Sequence, residues 1–236
     1  MLDNPAWWAL NSLHKNFARG TDRARRYRKG ILPFIACPTD EEGVPADALD
    51  DLAPWMEPGE VFYIIGRLPV LPKGWTTEFE LPCAQMILPA STSSTSPTST
   101  PVITPPEPPE IELLGEPNAT EMFNLINGIQ PGYYNVDTHL LGNYYGIHQQ
   151  GRLVAMAGER MRVPGFSELS AICTDPAYTG RGYAQLLIAH ICRELFAADV
   201  VPFLHVALSN QRAIRLYEHM GFQHQREISF WRCRKG

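Results

Sequence analysis

Apolar residues recur with two different periods along the second half of the chain. Short apolar or alternating runs predict strands, while apolar residues spaced three and four apart predict helices. The predicted strands are 144–148, 153–161, 166–173, 203–208 and 222–233. The predicted helices are 120–127, 182–196 and 210–220, with Gly128 and Gly221 as the stops of the first and the last. This order of elements predicts a mixed α/β sheet.

The first 90 residues carry a weaker pattern. Apolar residues between Trp7 and Leu13 are spaced like one face of a helix, and Asn4-Pro5 is suited to cap and begin it. Two strands are predicted at 60–67 and 83–88. One helix and two strands pack poorly alone, so we expect this smaller N-terminal α/β region to dock on the C-terminal one.

The two regions are separated by a segment of unusual composition. Residues 90–110 read ASTSSTSPTSTPVITPPEPPE, which is almost entirely Ser, Thr and Pro. Prolines remove backbone donors and disfavour helix in the residues before them, and the segment has little to bury. The sequence therefore predicts an N-terminal region at 1–89, an extended mobile linker at 90–110 and a C-terminal domain at 111–236.

Composition and charge exclude several classes of protein. The 236 residues are 44% hydrophobic and 19% charged, which is typical of a globular protein. The net charge of −5 argues against a nucleic-acid partner, because that affinity depends on neutralising phosphates. The basic stretch from Lys15 to Lys29 fits either a phosphate-binding patch or a solvated face, and we interpret it as a solvated face.

The chain also lacks the marks of a membrane or secreted protein. No window approaches the roughly 18 uncharged apolar residues of a membrane helix, and Asp3 and Pro5 stand where a signal peptide has a positive start. The cysteines are odd in number and lack C-x-x-C spacing: Cys37, Cys83, Cys173, Cys192 and Cys233. Free thiols in a cytoplasmic protein, with no metal site and no membrane partner, are the expectation.

A glycine-containing loop is the most informative stretch. Residues 169–187 read LSAICTDPAYTGRGYAQLL, in which a predicted strand leads through a loop into a predicted helix. Small residues at Gly180, Gly182 and Ala184 leave backbone N–H groups accessible, and the helix start adds unpaired donors and a partial positive charge. Such a loop suits a diphosphate, with Arg181 adding a charged contact, although a plain strand-to-helix turn needs the same glycines.

The loop resembles the acyl-coenzyme A loop of the GNAT superfamily of N-acetyltransferases, whose pattern is Gln/Arg-x-x-Gly-x-Gly/Ala. It aligns with Thr179 to Ala184, and Thr179 departs from the usual Gln or Arg. A second block, HVALSNQRAIRLYEHMGF at 205–222, resembles the family's Asn-x-x-Ala-x-x-x-Tyr helix with its Gly-Phe ending. Its Asn210 and Tyr217 share one helical face, about 10 Å apart along the axis. The resemblance covers about 111–233.

This resemblance implies a fold and an activity. The fold would be a central, mostly antiparallel mixed sheet flanked by helices. The activity would be direct transfer, in a ternary complex, of an acetyl group from acetyl-CoA to a primary amine of a small molecule or peptide. Tyr217 would protonate the departing thiolate. The residues implied to bind the coenzyme, mostly through their backbone, are Ile172, Cys173, Thr174, Thr179, Gly180, Arg181, Gly182, Tyr183, Ala184 and Asn210.

Glu168 is the candidate general base. Period-2 alternation puts it on the same strand face as Ile172, and desolvation inside an apolar strand would raise its pKa to a useful value. The alternative is a structural glutamate at the wet end of the strand, paired with Arg160 or Arg162. Asn210 and Tyr217 likewise have structural interpretations, as a helix cap and a core aromatic.

Other candidates rank lower. His205 and His148 are second-rank bases, and Cys173 is a weak candidate for a covalent acyl-enzyme. Tyr133, Tyr134 and Tyr144 are candidate acceptor-lining or core residues. A non-catalytic coenzyme A-binding sensor or scaffold is the alternative function, favoured by Thr179 and by the unusual N-terminal region.

Overall fold

The computed structural model describes residues 1–39, 47–90 and 109–236. Nearly all of the predicted linker at 90–110 lies outside these residues, so its conformation and the domain boundaries stay predictions. The helices are α1 (Pro5–Asn11), α2 (Ala119–Ile129), α3 (Tyr183–Ala197) and α4 (Gln211–His219). The strands are β1 (Ala18–Gly20), β2 (Arg25–Tyr27), β3 (Ile35–Ala36), β4 (Val61–Ile65), β5 (Thr76–Ile87), β6 (Glu112–Leu114), β7 (Tyr144–Gln149), β8 (Arg152–Val163), β9 (Phe166–Thr174), β10 (Val201–Ala207) and β11 (Gln223–Arg234).

An eight-stranded sheet organises the described residues. Its strand order is β4-β11-β5-β10-β9-β8-β7-β6, and β9 and β10 form its parallel pair among antiparallel neighbours. The mixed, mostly antiparallel α/β fold is therefore confirmed. Two strands of the N-terminal region belong to this sheet, since β5 lies between β10 and β11 and β4 pairs with β11. The N-terminal region thus completes the sheet as well as covering it.

Local signals set several element boundaries. The Asn4 side chain accepts a hydrogen bond from the Trp7 N–H and Pro5 begins α1, which confirms the predicted cap. Gly221 has φ +92°, and the Phe222 N–H donates to the Tyr217 carbonyl 2.9 Å away, so the predicted stop of α4 is also confirmed. The stop predicted at Gly128 is wrong, because α2 continues to Ile129. The chain leaves the helix just before Pro131, whose ring disfavours a helical conformation in the preceding residue.

Two apolar layers cover the faces of the sheet, and β10 shows how they alternate. Phe203 packs into the layer that holds Leu10 of α1 and Phe34. The next residue, Leu204, packs into the layer that holds Leu187 of α3. This is the period of two that a strand imposes. At β10, the layer that holds α1 therefore covers one face of the sheet, and the layer that holds α3 and α4 covers the other.

The basic stretch is less solvated than its sequence predicts. The Arg26 side chain is 6% exposed and pairs with Glu60, and Arg23 pairs with Asp47. The interpretation of the stretch as a solvated face is therefore wrong for Arg26. Across the residues that the structure describes, no helix is long and apolar enough to cross a membrane.

A buried histidine, His14, ties the N-terminal region to the segment that precedes β7. His14 Nδ1 lies 2.9 Å from the Tyr27 hydroxyl and Nε2 lies 3.1 Å from the Leu141 carbonyl. Burial lowers the pKa of His14 to about 4. The unfolded chain therefore binds more protons than the folded one between about pH 6.5 and 4, and the free energy of unfolding should fall by about 3 kcal/mol as the pH drops through that window.

Urea unfolding from pH 7 to pH 4.5, compared between the wild type and His14→Asn, measures this effect. The variant should be less stable at pH 7 but lose less stability on acidification, because it has removed the titrating group. Parallel pH profiles for the two proteins would contradict the prediction.

Candidate active site

The parallel strands β9 and β10 separate part of the way along their length. Their pairing runs from Val201↔Phe166 to Leu204↔Leu169. Beyond that point β9 contains a bulge at Ala171, whose φ is +52°, and its register with β8 shifts. A bulge bends its strand and increases the local twist. Within the described ranges, the Ile172–Thr174 backbone therefore has no strand partner on the side facing β10.

A cavity of about 120 Å³ lies at this fork between β9 and β10. The strand residues Ser170, Ala171 and Ile172 form part of its wall. Other elements contribute the side chains of Tyr133, Tyr134, Arg160, His205, Tyr217 and Phe230 to the wall. Tyr144, by contrast, is fully buried in a core cluster, so the sequence candidates Tyr133 and Tyr134 reach the cavity and Tyr144 does not. A half-open cavity of this kind, beside an open strand edge, suits a small reacting group.

The glycine loop precedes the long helix α3. Gly180 and Gly182 have φ +78° and +76°, a region that favours glycine, and α3 starts with neither a side-chain cap nor an acidic residue in its first turn. In the part of the chain that the structure describes, the backbone N–H groups from 179 to 185 donate no hydrogen bond. The loop and the helix start therefore present a row of free N–H donors, and the partial positive charge of the helix N-terminus favours an anion beside them.

Side chains in the loop have separate roles. The Thr179 hydroxyl donates to the Pro176 carbonyl 3.0 Å away, so it stabilises the loop itself. The Arg181 guanidinium lies 4.7 Å from the ring centre of Tyr178, exposed beside the free donors. Tyr183 is buried and packs in the core under α3, which leaves its backbone to face the loop.

Helix α4 carries the second sequence block. The Asn210 side-chain oxygen accepts from the Ala213 N–H at 3.1 Å, so its interpretation as a cap is confirmed and its side-chain amide nitrogen remains available as a donor. Tyr217 is 8% exposed and lines the cavity. Burial raises the pKa of Tyr217 to about 12, so its hydroxyl keeps its proton at neutral pH.

Glu168 differs from its predicted state. It is fully buried, does not line the cavity, and accepts hydrogen bonds from Arg160 Nε (2.9 Å), Arg160 Nη2 (2.6 Å) and His205 Nδ1 (2.7 Å). Burial opposes its charged form, but Arg160 and His205 outweigh that penalty and hold the pKa of Glu168 at about 2. The predicted upward shift is wrong, and the Arg160 partner named in the structural alternative is present, in the core and not at a wet strand end.

The network continues from Glu168 through His205 into the N-terminal region. His205 Nε2 lies 2.9 Å from Gln85 Nε2, which also donates to the Leu2 carbonyl at 2.6 Å. Because Gln85 Nε2 is a donor, His205 Nε2 accepts and Nδ1 carries the ring proton; this tautomer is assigned from the hydrogen bonds. Both ring nitrogens of His205 are therefore occupied.

Sequence reasoning missed Gln85. The available signal was a polar residue inside the apolar run CAQMIL, but its role depends on β5 lying beside β10, which no local pattern specifies.

The side chains of the remaining candidates, Cys173 and His148, do not line the cavity. Burial raises the pKa of the Cys173 thiol to about 12, which disfavours the covalent role. All five cysteines are free and buried. His148 lies between Glu112 and Glu121, each 3.2 Å away, and does not line the cavity. Within residues 1–39, 47–90 and 109–236, no group of three or more metal-ligating side chains occurs.

Comparisons with known proteins agree with this geometry. The model of the FR47-like protein family matches residues 144–231, which include the forked strands, the glycine loop and α4. The N-alpha-acetyltransferase RimI of Mycobacterium tuberculosis is 42% identical over 86 residues, which are 34% of this chain and 52% of that protein. An uncharacterized Mycobacterium leprae protein is 36% identical over 83 residues, 23% of its length. The chain thus spans about half or less of the curated relatives that it matches.

Solved structures extend the similarity to the whole chain. A protein assigned to the GNAT family of acetyltransferases, from Novosphingobium aromaticivorans, is 32% identical with a TM-score of 0.83, covering 100% of this chain and 98% of that one. A GCN5-related N-acetyltransferase from Kribbella flavida shares the fold at 14% identity, with a TM-score of 0.60 over 98% of this chain and 94% of that one. The chain belongs to the GNAT superfamily of N-acetyltransferases.

Proposed function

We propose that the protein transfers an acetyl group from acetyl-CoA to a primary amine of a small molecule or peptide, directly and in a ternary complex. The proposal rests on one cavity, which is bordered by the open edge of β9 and by Tyr217. From this edge the chain leads into the glycine loop, whose backbone N–H donors are free. The name of the RimI relative, an N-alpha-acetyltransferase, supports an amine acceptor.

Backbone groups supply most of the proposed coenzyme site. The N–H groups from Thr179 to Ala184 hold the pyrophosphate, assisted by Arg181. The unpaired edge at Ile172–Thr174 binds the pantetheine arm as an added strand would, because its N–H and C=O groups lack a partner on that side. Asn210 contributes its side-chain amide nitrogen, since its oxygen is occupied by the helix cap.

The proposed chemistry is nucleophilic attack by a neutral amine on the thioester carbonyl. A C–N bond forms, the C–S bond breaks, the nitrogen loses one proton to water in the cavity, and the thiolate takes the proton of the Tyr217 hydroxyl. Solvent then returns a proton to Tyr217. Holding both substrates in one cavity supplies the proximity contribution to the rate.

Glu168 acts as a positioning residue in this proposal. Its carboxylate is sealed from the cavity and occupied by three donors, so it cannot receive the amine proton directly. Its role is to fix Arg160 and His205 at the base of the cavity.

Purified protein incubated with acetyl-CoA and a panel of amines, with release of free thiol as the readout, tests the activity. Turnover on at least one amine is expected. Coenzyme binding without turnover would favour the sensor or scaffold alternative, and neither binding nor turnover would overturn the proposal.

We also propose that the protein works in the cytoplasm. The five cysteines are free, which suits a reducing compartment.

A further inference from the structure

We infer that Arg160 recognises the acceptor by donating a hydrogen bond from Nη1 to a neutral carbonyl oxygen close to the reacting amine, as found in an α-amino amide. This inference rests on the proposed function, because it concerns the acceptor half of the same cavity.

The guanidinium of Arg160 is held in one orientation. Its Nε and Nη2 donate to the two carboxylate oxygens of Glu168 at 2.9 and 2.6 Å. Its central carbon lies 5.1 Å from the ring centre of Phe34 and 5.7 Å from that of Phe230. A guanidinium fixed by a two-pronged carboxylate contact and by aromatic rings has little freedom to turn.

The third nitrogen of this guanidinium is available to a ligand. Arg160 is 8% exposed and lines the cavity, and among the described residues no acceptor lies within hydrogen-bonding distance of Nη1. Nη1 is not one of the fully buried side-chain atoms that lack a hydrogen-bond partner. Since it has no partner, it is therefore accessible. A charged donor that is nine-tenths buried and faces a cavity favours a ligand with an acceptor atom at that point.

The charge of the surrounding groups indicates which acceptor atom fits. Arg160 is positive and its partner Glu168 is negative, so the ion pair already balances the charge of the guanidinium. A second carboxylate would enter this buried space without a net positive charge to balance it, which is costly. A neutral carbonyl oxygen avoids that penalty.

The layout of the cavity wall places the carbonyl of the acceptor close to its reacting amine. Arg160 and the strand residues Ser170–Ile172 line the same cavity of about 120 Å³. The thioester is proposed to lie along those strand residues, so the amine and the atom bound by Arg160 must be near neighbours in the acceptor.

Three matched acceptors test the inference: an α-amino amide, the corresponding amino acid carboxylate, and the methylene analogue, in which CH2 groups replace both the carbonyl and the amide nitrogen so that no second amine is created. Values of kcat/KM are compared per unprotonated amine, because the carbonyl also changes the pKa of the amine. We expect the amide to exceed each of the other two by about 10- to 100-fold. Arg160→Lys keeps the charge opposite Glu168 but loses the planar fork, and should bring the ratio of amide to methylene analogue close to one.

Arg162→Lys is the matched control, because Arg162 lies on the same strand, is 43% exposed and does not line the cavity. It should leave the ratio unchanged. Equal turnover of the amide and the methylene analogue by the wild type, or a preference for the carboxylate, would overturn the inference while the acetyltransferase proposal survived. This comparison of acceptors with the wild type tests the inference even if Arg160→Lys fails to fold. Absence of turnover with every amine would remove both proposals together.

Discussion

Tyr217→Phe is expected to lower kcat by about 100-fold or more, with little change in the affinity for acetyl-CoA. The substitution removes the hydroxyl on the cavity but keeps the ring, which packs against Phe222 with centroids 5.9 Å apart. Burial raises the pKa of Tyr217 to about 12, so this hydroxyl is protonated and ready to donate to a thiolate throughout the neutral range. Its loss leaves the departing thiolate without the proposed acid, while the coenzyme site on the loop and strand is untouched.

Single-turnover and steady-state rates at saturating acetyl-CoA measure this effect. Tyr145→Phe is the matched control, because Tyr145 is 9% exposed in the same apolar cluster but does not line the cavity. The control should keep the wild-type kcat. If Tyr217→Phe kept it as well, Tyr217 would be a core aromatic and the proton would come from another source.

Glu168→Ala should lower the free energy of unfolding by about 3–5 kcal/mol, because it leaves the buried Arg160 cation without its partner. His205 Nδ1 also loses its acceptor. Replacing Glu168 and Arg160 together by methionine should destabilise much less than the single change, since an apolar pair leaves no unpaired charge in the core. Urea unfolding at pH 7 gives these values.

Glu57→Ala is the control for simple loss of an ion pair. Glu57 and Lys29 are 71% and 75% exposed, and their separation should change stability little.

The pKa of Glu168 lies below its ordinary value, so the ion pair stabilises the fold above about pH 4.5, and the stabilisation is lost as the pH falls towards 2. A Glu168→Ala protein as stable as the wild type would contradict this account of the cluster.

Features encoded by neighbouring residues could be predicted from the sequence. Asn4 caps the helix that begins at Pro5, and Gly221 ends α4, because each depends on a few residues of contiguous chain. The glycine loop and the start of α3 belong to the same class, since positive φ at Gly180 and Gly182 and an uncapped helix follow from local chemistry. The glycine loop and the start of α3 carry most of the proposed coenzyme site.

Features created by contacts between distant segments could not be predicted. Arg160 on the neighbouring strand β8 could be named as an alternative partner of Glu168, but the burial of the pair and the contact with His205 from β10, which together set the sign of the pKa shift, arise only in the folded sheet. Strict alternation along β9 fails at the Ala171 bulge, so Glu168 and Ile172 do not share the environment that a regular strand would give them. Gln85 reaches His205 because β5 enters between β10 and β11, a pairing that spans more than 100 residues.

Calorimetric titration of acetyl-CoA into the wild type, Gly180→Val and Gly165→Val tests whether the glycine loop binds the pyrophosphate of the coenzyme. Gly180 and Gly165 both have φ +78°, and a Cβ at either would meet nothing within 4 Å, so the two variants carry the same backbone strain. Gly165 lies in the turn between β8 and β9, away from the glycine loop. We expect binding by the wild type and by Gly165→Val, and at least about tenfold weaker binding by Gly180→Val, whose side chain occupies the pyrophosphate cradle. No heat with the wild type, or equal affinities for the two variants, would contradict this expectation.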